Sequence, residues 1–105
     1  MKFMVTATFK DSFYALPPDR QAALRTANIA WIQKYVQSGK CQVVYNFADM
    51  KGGVSIWEIA SSEEGARLTV EYPMFPFVEQ EYIPLVEFDV GARILKEMET
   101  AQRPA

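Results

Sequence analysis

Histidine is missing from this chain altogether. Its absence removes the commonest general base near neutral pH and the commonest metal ligand, so any proton chemistry falls to carboxylate, lysine, tyrosine or thiol. Cysteine is nearly missing too. Cys41 stands alone, which excludes an intramolecular disulfide and a cysteine metal cluster and makes a reducing, cytoplasmic setting the expectation. An excess of either charge is lacking: 11 basic and 13 acidic side chains, scattered rather than clustered, leave a net charge of −2. That pattern offers no electrostatic footprint for nucleic acid or for an anionic membrane surface. No stretch approaches the roughly 18 apolar residues of a membrane helix. The apolar positions within residues 2–9 are too few, and too interrupted by threonine, for a signal sequence.

What is present suits a single domain, 1–105, with one core. Apolar residues make up 50% and aromatics 13%, rich for so small a domain, so part of this surface is expected to be buried between chains. The most distinctive segment is Tyr72-Pro73-Met74-Phe75-Pro76-Phe77. Its prolines hold φ near about −65° and bias Tyr72 and Phe75 toward extended geometry, so a preceding helix must stop here. Phe75 and Phe77 are expected to be buried, either closing the core or walling a small-molecule pocket or subunit contact.

Residues 2–10 alternate, Phe3, Val5, Ala7 and Phe9 against Met4, Thr6, Thr8 and Lys10, and read as a strand. Pro17-Pro18-Asp19 opens a helix to about Ser38, with Gly39 as its cap and Leu24, Ala27, Trp31 and Tyr35 as its inward stripe. Residues 41–48 and 54–60 form a hairpin whose Gly52-Gly53 is expected to supply positive φ. Ser61 caps a helix to about Glu71 with acidic first-turn residues. A fourth strand over 82–90, with Pro84 marking an edge, and a terminal helix over 91–101 complete the chain, 102–105 being frayed.

The order β-α-β-β-α-β is the ferredoxin-like α+β arrangement, with helices on one face of a four-stranded antiparallel sheet and an extra C-terminal helix. The open face carries Met4, Thr6 and Thr8, too apolar for water and too polar for a closed core. Covering it with the same face of a second copy makes a homodimer with a partly polar chamber.

On three segments the chain resembles the muconolactone Δ-isomerase family of dimeric α+β barrels. These are the strand Phe3-Met4-Val5-Thr6-Ala7-Thr8-Phe9-Lys10, the strand Val54-Ser55-Ile56-Trp57-Glu58-Ile59 and, above all, the proline-aromatic hinge, which is similar to that family's Leu-Pro-x-Phe-Pro-[Phe/Tyr] signature. The likeness spans roughly residues 2–90. It implies a barrel of paired subunits, possible rings of dimers, and a cofactor-free, metal-free proton shift on a small lactone from aromatic degradation. The chain departs where the family's degradative enzymes carry histidine and arginine, having Tyr45, Asn46 and Phe47 instead.

Such a shift needs a base over the acidic carbon, a group steadying the enolate oxygen and a water-poor site. Glu58 shares parity with Val54 and Ile56, and desolvation there would raise its pKa into the range of a base; the plainer alternative is an exposed strand end or a paired carboxylate. Lys10, on the face of Thr6 and Thr8, could steady an enolate, or simply reach water. Tyr45 could donate to a ligand oxygen, Trp57 could floor a pocket or belong to the core, and Thr6, Thr8, Phe75 and Phe77 complete the expected substrate contacts. Glu87 and Asp89 read as a solvated edge pair and Cys41 as a small core residue. Two further functions stay open, a non-catalytic small-molecule-binding module and a cofactor-free monooxygenase of the same superfamily.

Overall fold

The computed structural model describes residues 1–102; of the end expected to fray, 103–105 lie outside the described residues. Strand β1 (Lys2–Phe9) leads through a short helix, α1 (Asp11–Tyr14), to the long helix α2 (Pro18–Ser38). Strands β2 (Cys41–Asn46) and β3 (Gly52–Glu58), helix α3 (Ser62–Glu71), a single 3₁₀ turn (Phe75–Phe77), strand β4 (Val78–Leu85) and helix α4 (Phe88–Gln102) follow. All neighbouring strands are antiparallel and the sheet order is β2-β3-β1-β4. This is the ferredoxin-like α+β fold expected, and Pro84 does lie on an edge strand. No helix among the described residues is long and apolar enough to cross a membrane.

Local chemistry explains the boundaries. Pro18 opens α2, where its missing N–H costs nothing, and Gly39 closes it at φ 83°, its N–H donating to Val36 O. Ser61 caps α3 by accepting from Glu64 N at 3.2 Å, and the Glu64 carboxylate reaches back to Ala60 N at 3.1 Å. Lys40, at the entry to β2, pairs with that same carboxylate. In the hairpin the positive φ belongs to Met50, at 61°, not to the glycines. Gly52 and Gly53 sit inside β3, where a Cβ would stand 2.0 Å from Ala7 O and 2.6 Å from Tyr45 O. Their role is close approach of backbones.

Other expectations shift with tertiary context. The fourth strand starts at Val78 and ends at Leu85 because the hinge turns only once, as 3₁₀, before β4 pairs with β1 from Phe9↔Val78 to Lys2↔Leu85. Glu87 and Asp89 therefore lie beyond the sheet, Glu87 pairing with Lys2 at 3.2 Å and Asp89 in the first turn of α4. Within the hinge, Tyr72 and Met74 are buried and Phe75 is 44% exposed, so the expectation of a buried Phe75 is corrected. On α2 the inward stripe runs Leu24, Asn28, Trp31, Tyr35, with Ala27 facing out.

Strand register assigns the two faces. Phe3, Val5, Ala7 and Phe9, opposite Trp57, Ser55 and Gly53 of β3, face α2 and α3; Met4 and Thr6, opposite Ile56 and Val54, face away. Two packed clusters hold the helices on the sheet. One centres on Phe13, Tyr72, Met74 and Val78, the other on Tyr35, Cys41, Trp57 and Ile59, and Trp31 touches both. Helix α4 stands apart: none of its residues is buried, and the molecule measures 67 Å along one axis against 28 and 25 Å along the others.

Candidate active site

Between these clusters, sheet and helices enclose a cavity of about 340 Å³. Its walls are aromatic and aliphatic: Phe3 and Val5 from β1, Trp57 from β3, Trp31 from α2, Leu68 from α3 and Tyr72 from the hinge. Polar groups enter at separated points, from Asn28, Ser55, Thr69, Gln80 and Tyr82. Tyr45, Asn46, Ser62 and Tyr82 are exposed and mark the rim. None of the lining residues carries a formal charge at neutral pH.

Four of the polar groups are tied to the protein. Ser55 Oγ accepts from Trp57 Nε1 at 2.8 Å, which leaves the hydroxyl proton of Ser55 to donate elsewhere. Thr69 donates to Gly65 O at 2.8 Å and stands 3.0 Å from the Tyr82 hydroxyl, which in turn reaches Gln80 Oε1 at 2.8 Å. Two groups are not tied. Asn28 Oδ1 is buried without a hydrogen-bond partner among the described residues, a costly state for an amide oxygen. The hydroxyl of Tyr72 likewise has no partner among them, and burial, with Tyr82 nearby, pushes its pKa up to about 12. The cavity thus presents a free acceptor at Asn28 and free donors at the Ser55 and Tyr72 hydroxyls, of which Tyr72 keeps its proton up to about 12. Burial also raises the Cys41 thiol, whose Sγ lies 3.5 Å from Val43 O.

The structure separates the residues that the sequence grouped. Trp57 lines the cavity and Tyr45, 68% exposed, stands at its rim. Thr6 and Thr8 lie on the opposite, open face of the sheet with Glu58, which is paired to the N-terminal ammonium at 3.2 Å and 48% exposed. Lys10 follows the far end of β1, eight residues from Lys2, the register partner of Glu58, which is about 26 Å along the strand. Glu58 and Lys10 of one chain therefore do not meet on one small ligand. Phe75 and Phe77 are not among the cavity's lining residues; Phe77 packs on the cluster around Phe13. Asn28, Thr69 and the Tyr72 hydroxyl went unread, although Asn28 stands four residues after Leu24 and three before Trp31, on the apolar stripe itself.

Residues 1–90 match the muconolactone delta-isomerase family. The chain belongs to that family. A crystal structure of muconolactone isomerase superposes with a TM-score of 0.64 at 24% identity, covering 83% of this chain and 90% of that one. The 5-chloro-2-hydroxyhydroquinone dehydrochlorinase of Burkholderia phenoliruptrix, in complex with 2,5-dihydroxybenzoquinone, superposes at 0.66 with 16% identity, covering 85% and 97%. At such identities these two establish a shared fold. No curated protein sequence matches. The family match ends at residue 90, so most of α4 lies beyond it.

Proposed function

We propose that this member of the muconolactone Δ-isomerase family is an enzyme that shifts a proton in a small cyclic, enolisable metabolite bound between sheet and helices. The observation that carries this reading is the Tyr72 hydroxyl: a buried phenol on the cavity wall, without a partner and still protonated up to about 12. Such a donor strengthens its hydrogen bond as a ligand carbonyl becomes an enolate oxygen, and it does so against largely apolar walls. The aromatic walls would hold a flat ring in place. The cavity supplies no carboxylate, lysine or histidine to take the proton, so in this reading it is exchanged with a dissolved base at the exposed rim, taken from one carbon and returned to the other.

The test is the conversion of α-angelica lactone to its conjugated isomer, followed in deuterium oxide so that exchange and isomerisation are both seen. Tyr72→Phe is expected to slow it by about 10²- to 10³-fold with the fold intact. An unchanged rate removes Tyr72 from the chemistry. Glu58 and Lys10 would take part only through a chamber built over the open face by a second copy, and an unchanged exchange rate in Glu58→Gln removes that route. A second reading, a non-catalytic binding module, is favoured by the lack of a carboxylate, lysine or histidine in the cavity; ligand binding without exchange would establish it.

We also propose a homodimer in the cytoplasm. Met4, Val43, Val54, Ile56, Ile83 and Leu85 give the open face an apolar patch beside Thr6, Thr8, Glu79 and Glu81, and α4 exposes Phe88, Ile94, Leu95 and Met98. A free helix of this length is marginal in water, and a second copy offers both surfaces a complement.

A further inference from the structure

We propose that the ligand of this cavity is an uncharged ring compound bearing a hydroxyl group, and that carboxylate-bearing rings are excluded from it. The inference rests on the cavity being the ligand site, and adds the ligand's charge and hydrogen-bonding character. Two observations carry it. First, the lining brings no arginine, lysine or histidine into reach of a bound anion. A carboxylate entering there would give up its water for aromatic walls and neutral dipoles, and an unpaired buried charge is the costliest group to desolvate. The nearby lysines are occupied elsewhere, Lys40 by Glu64 and Lys34 by Glu71 at 3.8 Å.

Second, Asn28 Oδ1 is an acceptor buried without a donor among the described residues. A site built to hydrogen-bond a hydroxyl rejects the analogue that lacks one, because the protein group is then left unpaired. A ligand hydroxyl would satisfy Asn28, and a ligand carbonyl would take the Tyr72 donor. Together these call for a neutral ring with at least one donor and one acceptor. Its volume must fit about 340 Å³.

The experiment compares three rings of nearly equal size: para-hydroxyacetophenone, para-hydroxybenzoate and para-methoxyacetophenone, the last of which has no hydroxyl. Binding is followed by the indole N–H resonances of Trp31 and Trp57, the only tryptophans in the chain and both on the cavity wall. The hydroxyacetophenone is expected to bind at least about tenfold more tightly than the benzoate at neutral pH, and Asn46→Lys at the rim to narrow that gap. Asn28→Ala is expected to cost the phenol about tenfold and the methyl ether little. Benzoate binding as tightly as the ketone overturns the exclusion of charge while leaving the cavity as the site. An equal loss for phenol and ether in Asn28→Ala, or no loss in either, overturns the role of Asn28. If none of the rings moves either indole signal, the cavity is not the ligand site and the inference falls with that reading.

Discussion

Glu71 concentrates more interactions than any other carboxylate in the helical layer. Its Oε1 accepts from Tyr35 OH at 2.7 Å and from Trp31 Nε1 at 3.1 Å, and Lys34 lies 3.8 Å away. The Tyr35 hydrogen bond, followed by those of Trp31 and the charge of Lys34, holds its carboxyl below the ordinary range, and the same bond pushes Tyr35 up to about 12. Tyr72 reaches about 12 through burial. The sign of the pH dependence follows. At pH 11 an unfolded tyrosine has released its proton while the folded one retains it, so the native state binds more protons and stability falls as pH rises from about 10 toward 12. Tyr72 alone contributes a loss of roughly 1 kcal/mol by pH 11. Urea unfolding at pH 8, 10 and 11, with tyrosinate absorbance followed in parallel, checks this; a midpoint unchanged across the range contradicts the raised values. On the acid side, Glu71 favours the fold above its unfolded value near about 4.3, and that contribution is lost as pH falls through its depressed folded value.

At the scale of elements the hinge is the informative case. Its prolines and large apolar residues announce that α3 must stop and that something must be buried, and both hold. Which side chain is buried was not legible, because it depends on the single 3₁₀ turn that rotates Met74 into the Phe13 cluster and Phe75 toward solvent. Met74 is 0% exposed. Met74→Ala is therefore expected to cost about 2–5 kcal/mol, the range for emptying a packed site. Phe75→Ala should cost under about 1 kcal/mol, as at exposed positions. Equal shifts in denaturation midpoint for the two variants would count against this packing. The hairpin glycines teach the same lesson. Gly-Gly signalled a turn by composition, yet what excludes a side chain at Gly52 is the Ala7 carbonyl of a strand far away in sequence.

For the molecule as a whole, the unpartnered surfaces are the point. Phe88 is 87% and Leu95 67% exposed on α4, and the open sheet face is apolar at its centre. A standard stable interface buries ~1,600 Å², and a two-fold dimer would draw on both surfaces to reach it. At about 10 μM the chain is expected to sediment at twice its monomer mass, and the double change Leu95→Glu, Met98→Glu to weaken the dimer at least tenfold. A wild-type monomer at that concentration removes the second copy from the proposal.

Apart from the short α1, the order of strands and helices and the caps of α2 and α3 were determined by the sequence alone, since period, proline, glycine and capping residues act over a few neighbours. The family likeness was legible in the same local segments. Where the cavity lies was decided only in three dimensions: a two-residue period says that Glu58 and Trp57 face opposite ways, but not which way the helices lie. Packing α2 and α3 on the side of Phe3, Val5 and Trp57 put the enclosed space there. That choice left Glu58 outside with the N-terminal ammonium and brought Asn28 and Tyr72, from elements distant in the chain, to face one ligand.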